Sequence, residues 1–276
     1  MNDMSLQKPD GWLKFSAIIP DFQLWLQRMA SDSKPVANAL RLQREAYGRD
    51  DRQWFEWGHG SGTLPVVPVM VHGGYWRALH AADHRFVLPA LSKLGVGVAN
   101  IEYRLMPETR MEGLVADVVD AFEALSRRFP DARLLPLGHS AGAHLALAAL
   151  GARRELETRL AGVVSVSGAF DLELVSRSFL QTELVLTGHE VERFSIKTAP
   201  QVPALFAFGS EETTPFPMQA EHLASTSAAA CAVSVSRSHH MNVLHNSLTG
   251  DAPLLPLIRN WLAGETLPGS IEVRQP

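Results

Sequence analysis

The sequence predicts an α/β fold with a mostly parallel central sheet covered by helices on both faces. Three observations predict it. From Val66 onward, short apolar and β-branched runs recur along the chain. These runs are apolar throughout rather than alternating, as strands buried on both faces must be. Helical patterns fill the intervals between them, which is how parallel strands are connected.

Taken in order, residues 21–48 (DFQLWLQRMASDSKPVANALRLQREAYG) read as helical, divided at Pro35, whose ring blocks a helix interior. Strands are expected at 66–71 (VVPVMV), 96–103 (VGVANIEY), 133–137 (RLLPL), 162–167 (GVVSVS), 204–208 (ALFAF) and 232–236 (AVSVS). Pro68 and Pro136 are misfits there, since each removes a ladder donor. Residues 111–129 form an amphipathic helix with Leu114, Val118, Phe122 and Leu125 on one face. A last helix is expected over 252–264 with Trp261 inward. No linker composition interrupts the chain. Residues 1–276 are therefore expected to form a single domain, with an N-terminal helical extension over 1–50 and the core over 51–265.

The composition narrows the function classes. A chain of 276 residues, 46% hydrophobic and 20% charged, can bury a large core. Its net charge of -4 and lack of a basic run argue against nucleic acid as a partner. Cys231 is the single cysteine, which excludes an internal disulfide framework and a thiolate metal cluster. No apolar run is long enough for a bilayer, and the first residues lack a secretory h-region. A cytoplasmic protein acting on a small molecule, with no membrane or nucleic-acid partner, is the expectation. A homodimer is compatible with such a fold.

Chemistry concentrates at Gly138-His139-Ser140-Ala141-Gly142, directly after a strand and directly before an alanine- and leucine-rich helix. Small residues two before and two after the serine let strand and helix approach while the hydroxyl points outward. The competing reading is a plain helix cap by Ser140. A hydroxyl attacking a carbonyl needs donors for the developing oxyanion. His72-Gly73-Gly74-Tyr75-Trp76 follows a strand end, and its glycines free the backbone amides to converge. The amides of Gly73, Gly74 and Ala141 are the candidate donors, each contributing about 3–4 kcal/mol to a transition state. His72 is expected to fix this loop by a hydrogen bond. Tyr75 and Trp76 could wall an aromatic site beside His139 and Met241, with core packing as the alternative.

A base must follow the last strand, where His239 and His240 are candidates and His245 is more distant; His189 and His222 read as surface residues. The acid should follow ALFAF, where Glu211 and Glu212 stand, with Asp171 as an earlier alternative. The residues alone leave both choices open.

HGGYW, GHSAGAHLA and the order serine, acid, histidine resemble the α/β-hydrolase fold, and within it the kynurenine formamidase (arylformamidase) group and its esterase-like relatives. The resemblance spans about residues 45–262 and includes Tyr103-Arg104-Leu105 with Pro107, and SGAFDL at 167–172. It implies Ser140, Glu212 and His240 as the catalytic set. The family acid stands three residues after the glycine that ends its strand, and the family histidine precedes an aromatic-x-aliphatic stretch. Two departures stand out: the acid is usually aspartate, and Met241 occupies the place of a phenylalanine. The implied reaction is hydrolysis of an aryl formamide or a small ester, with no metal or organic cofactor.

Overall fold

The computed structural model describes residues 9–250, 252–269 and 271–274; the rest of the expected 1–276 span lies outside the described residues. Among the described residues nine strands form one sheet: β1 (Gln43–Ala46), β2 (Trp54–His59), β3 (Val66–Val71), β4 (Gly97–Ile101), β5 (Arg133–His139), β6 (Val163–Val166), β7 (Ala204–Gly209), β8 (Ala230–Val235) and β9 (Ile271–Val273). Their spatial order is β1-β2-β4-β3-β5-β6-β7-β8-β9. Only the β1–β2 and β2–β4 pairs are antiparallel; every other pair is parallel. All six expected strands are present, and β3 through β7 are buried along their central residues, as their unbroken apolar runs require.

The two proline misfits have a local explanation. Pro68 in β3 pairs with Leu135, and Pro136 in β5 pairs with Val69, one step apart in the β3–β5 ladder. The β3–β4 pairing begins at Val69, and the β5–β6 pairing begins at Leu137. Each ladder thus starts one residue after the position that cannot donate.

The helical expectation over 21–48 is corrected. A helix spans Phe22–Ser33 and a single turn Val36–Ala39, but Gln43–Ala46 is a strand. Its residues, QREA, have no β-pattern and are mostly exposed. Pairing with β2 decides the conformation, supported by two cross-strand contacts. Trp57 Nε1 donates to Glu45 Oε1 (2.6 Å), and the Arg44 guanidinium lies 3.7 Å from the Trp54 ring centre. The last helix is shorter than expected, Leu254–Leu262. Trp261 is half-buried there, its ring against Gly162, where a Cβ would come within 2.3 Å of it.

The feature that places the site is the approach of helix Ala141–Ala152 to the sheet. A Cβ at Gly142 would lie 2.1 Å from the Val71 carbonyl oxygen, and one at Gly138 would lie 2.4 Å from Ala143 Cα. Glycine at both ends of the pentapeptide is therefore a packing necessity. The helix is buried from Ala141 to Leu150, which explains its lack of a polar face. Helix Met111–Arg128 packs against it with the stripe of Leu114, Val118, Phe122 and Leu125, all fully buried. Among the described residues no helix is long and apolar enough to cross a membrane.

Gly142→Ala should therefore cost on the order of 3 kcal/mol or more, because backbone rather than a flexible side chain must yield. Gly151→Ala, in the same helix with open space around its Cβ, should instead stabilise by about 0.5–1 kcal/mol. Thermal unfolding of the two variants checks both signs.

Candidate active site

Ser140 occupies the turn between β5 and the buried helix with φ 52° and ψ -120°, a conformation that costs a non-glycine residue about 1–3 kcal/mol. Backbone bonds hold it there. Its N–H donates to Val166 O (2.9 Å), and its carbonyl accepts from the N–H groups of Ala143 (3.1 Å) and His144 (3.2 Å). Ser140 stands at the N-cap position, yet its side chain makes no capping bond. Its Oγ lies 3.0 Å from His240 Nε2 instead.

His240 is buried on the loop after β8, and its Nδ1 is 3.3 Å from Glu212 Oε2. A carboxylate accepts, so Nδ1 carries the proton and Nε2 offers its lone pair to the serine hydroxyl. The imidazole is stacked on Phe15 at 3.9 Å and packed against Phe216 at 4.6 Å between ring centres. The Glu212 side chain has no exposure. Its Oε1 accepts from the Gly209 N–H (3.1 Å) and from the Ser167 hydroxyl.

The other candidate residues have different surroundings. Glu211 is exposed. Asp171 is exposed too and caps helix Leu172–Ser176 by accepting from the Glu173 N–H (2.9 Å). His239 Nδ1 accepts from the Met241 N–H (3.2 Å), and its ring meets Trp25. His245 stacks on Phe86 at 4.1 Å and reaches Asp32 at 3.2 Å. His189 and His222 are exposed.

The glycine loop makes a left-handed turn, with positive φ at Gly74 (124°), Tyr75 (54°) and Trp76 (60°), closed by the Ala78 N–H on Gly74 O (2.9 Å). Among the described residues no backbone acceptor takes the N–H of Gly73, Gly74 or Ala141. An ideal Cβ on Gly73 would stand 3.2 Å from Ser140 Cβ, so the loop lies directly against the serine. His72 does fix this loop: its Nδ1 donates to Gly73 O (2.7 Å), its ring stacks on Tyr103 at 4.2 Å, and the Tyr103 hydroxyl donates to its carbonyl (2.7 Å).

A cavity of about 200 Å³ opens beside Ser140 and His240. Tyr75, His139 and Met241 line it. Trp76 does not, and this is a correction: only 1% exposed, it is part of the core, where its Nε1 donates to His144 Nδ1 (3.2 Å). His144 Nε2 then donates to Phe194 O (2.8 Å), so the imidazole is a fully bonded neutral clamp between loop and helix. Sequence reading missed the apolar wall, which comes from Phe15, Phe22, Leu26 and Met29 of the N-terminal segment. It also missed Arg77 and His84 on the cavity and Ser167 behind Glu212. Ser167 had a signal: it opens SGAFDL directly after a strand end.

Residues 68–206, half of the chain, match the sequence model of an α/β-hydrolase fold family, and the chain belongs to that family. It is similar to the kynurenine formamidase of Salmo salar, 26% identical over 271 residues covering 85% of this chain and 91% of the relative. It is also similar to the kynurenine formamidase of Danio rerio, 28% identical over 146 residues; that match covers 51% of this chain and only about half (48%) of the relative. A crystal structure of a protein designated a thioesterase from silicibacter sp. tm1040 superposes with a TM-score of 0.79 at 24% identity, covering 90% of this chain and 97% of the other.

Burial pushes the His144 pKa down from 6.5 to about 4, although its bond to Phe194 O opposes this. The unfolded chain therefore takes up that proton first as pH falls. The stability tied to a neutral His144 is complete above about pH 6.5 and is lost toward about pH 4, a change on the order of 3 kcal/mol. The melting temperature should be flat above neutrality and fall across that window. His144→Gln, which can accept from Trp76 and donate to Phe194, should flatten part of the fall.

Proposed function

We propose that this chain is a serine hydrolase that acts through an acyl-enzyme on an aryl formamide such as N-formylkynurenine. The observation that carries the reading is the run Glu212–His240–Ser140, ending on a hydroxyl that is withheld from helix capping and stands beside unclaimed amides. His240 Nε2 takes the proton of Ser140 as Oγ attacks the formyl carbon. The carbonyl oxygen becomes an oxyanion against the amides of Gly73, Gly74 and Ala141. His240, now an imidazolium steadied by Glu212, gives its proton to the aryl nitrogen, and the amine leaves. Water, deprotonated by His240, then attacks the formyl ester, releasing formate and restoring the serine.

Glutamate in place of the family's aspartate is accommodated by anchoring its second oxygen. The Gly209 amide and the Ser167 hydroxyl hold Oε1, so the longer arm still presents Oε2 to the imidazole. The choice of an aryl formamide is supported by the likeness to the two fish kynurenine formamidases and by aromatic cavity walls at Phe15, Phe22 and Tyr75. The same residues can cleave a small acyl ester, so substrate comparison is the decisive test.

Purified protein should hydrolyse N-formylkynurenine with higher kcat/KM than p-nitrophenyl acetate, and Ser140→Ala should abolish both activities. Ester cleavage alone would keep the serine chemistry and discard the formamide. Survival of either activity in Ser140→Ala would overturn the mechanism. Glu212→Gln should lower kcat by roughly 10²–10⁴-fold by disturbing the imidazole tautomer, whereas Glu211→Gln should stay within about twofold, as exposed substitutions do.

A further inference from the structure

The turn that presents the oxyanion amides also brings a cation to the cavity. Arg77 follows Trp76 directly, and its N–H closes on Gly74 O at 3.1 Å. Among the described residues lining the cavity, it is the one with a permanent charge. No carboxylate compensates it there: the other polar side chains lining the cavity are histidines, Tyr75 and Ser140. The side chain is 29% exposed, and Glu183, itself 46% exposed, engages it at Nη1 (2.6 Å). Arg77 Nε is buried and has no acceptor among the described residues.

An unpartnered N–H on a guanidinium is costly to bury, and the Nε side of the fork is one of the edges on which arginine holds carboxylates. A formyl group carries no charge, so an anion could belong only to the leaving amine. We propose that Arg77 is the specificity residue for a carboxylate on the leaving group, holding it on the part of the guanidinium that Glu183 leaves free. The substrate class is an aryl formamide, or aryl ester, whose leaving group bears an acid, as the amino-acid side chain of kynurenine does. The choice of a formamide rests on the function proposed above; the role of Arg77 is separable from it.

The experiment pairs charged and neutral substrates of both kinds: N-formylkynurenine against formanilide, and p-acetoxybenzoate against phenyl acetate. Wild type should prefer the charged member of each pair that it cleaves. Arg77→Met should raise KM for the charged members by roughly ten- to a hundredfold, the loss of a charge-assisted bond, while neutral members shift less than about threefold. Arg77→Lys should recover part of the preference through its charge. Equal loss on charged and neutral substrates would show a merely structural role, and no loss, or no preference in wild type, would equally overturn the assignment. Cleavage of the esters but not the formamides would sink the formamidase reading alone, and the ester pair would still decide Arg77.

Discussion

The structure depends first on how closely helix Ala141–Ala152 approaches the ends of β3 and β5. There is no room for a side chain at Gly138 or Gly142, and closing that gap forces Ser140 into positive φ. The strained turn is held by three backbone hydrogen bonds, one reaching across to β6. Its consequence is chemical. A serine at a relaxed N-cap would spend its oxygen on the helix amides, whereas this one leaves those amides and its own hydroxyl facing the same space. The glycine loop after β3 then needs only to lie alongside, and the positive-φ run at Gly74, Tyr75 and Trp76 turns it there.

A second constraint comes from the N-terminal segment. It is fastened over the site by bonds to three separate regions: the Tyr75 hydroxyl on Leu13 O, the Thr213 hydroxyl on Trp12 O (2.9 Å), and the Phe179 N–H on Asp10 Oδ1 (2.6 Å). These bonds seat Phe15 on the face of His240. The imidazole is thereby enclosed by hydrocarbon on its faces while both ring nitrogens keep polar partners. Excluding water in this way strengthens each bond of the Glu212–His240–Ser140 run. It also makes the N-terminal segment one wall of the cavity beside Ser140.

The Trp76–His144–Phe194 chain shows how a neutral buried histidine can be structural. Both nitrogens are bonded, which joins the glycine loop to the helix that begins at the serine. His72 plays a similar part on the other side of the loop, against Tyr103. Of the buried histidines around the site, among the described residues, His240 alone has a carboxylate on one nitrogen and a serine hydroxyl on the other.

The sequence by itself determined the six strands β3 to β8, the elbow at Ser140 and the glycine pair at Gly73 and Gly74. These are local encodings: an apolar run that a covered parallel sheet demands, and small residues where backbones must nearly touch. It narrowed the acid and base to neighbouring pairs, and family likeness pointed to Glu212 and His240. Tertiary structure decided the rest, because those choices depend on partners distant in the chain. QREA becomes β1 only through its pairing with β2. Glu212 rather than Glu211 turns inward because Ser167 and the Gly209 amide wait there. Trp76 enters the core because His144, 68 residues away, offers it an acceptor. Phe15 and Arg77 become walls of one cavity through contacts that no local periodicity records.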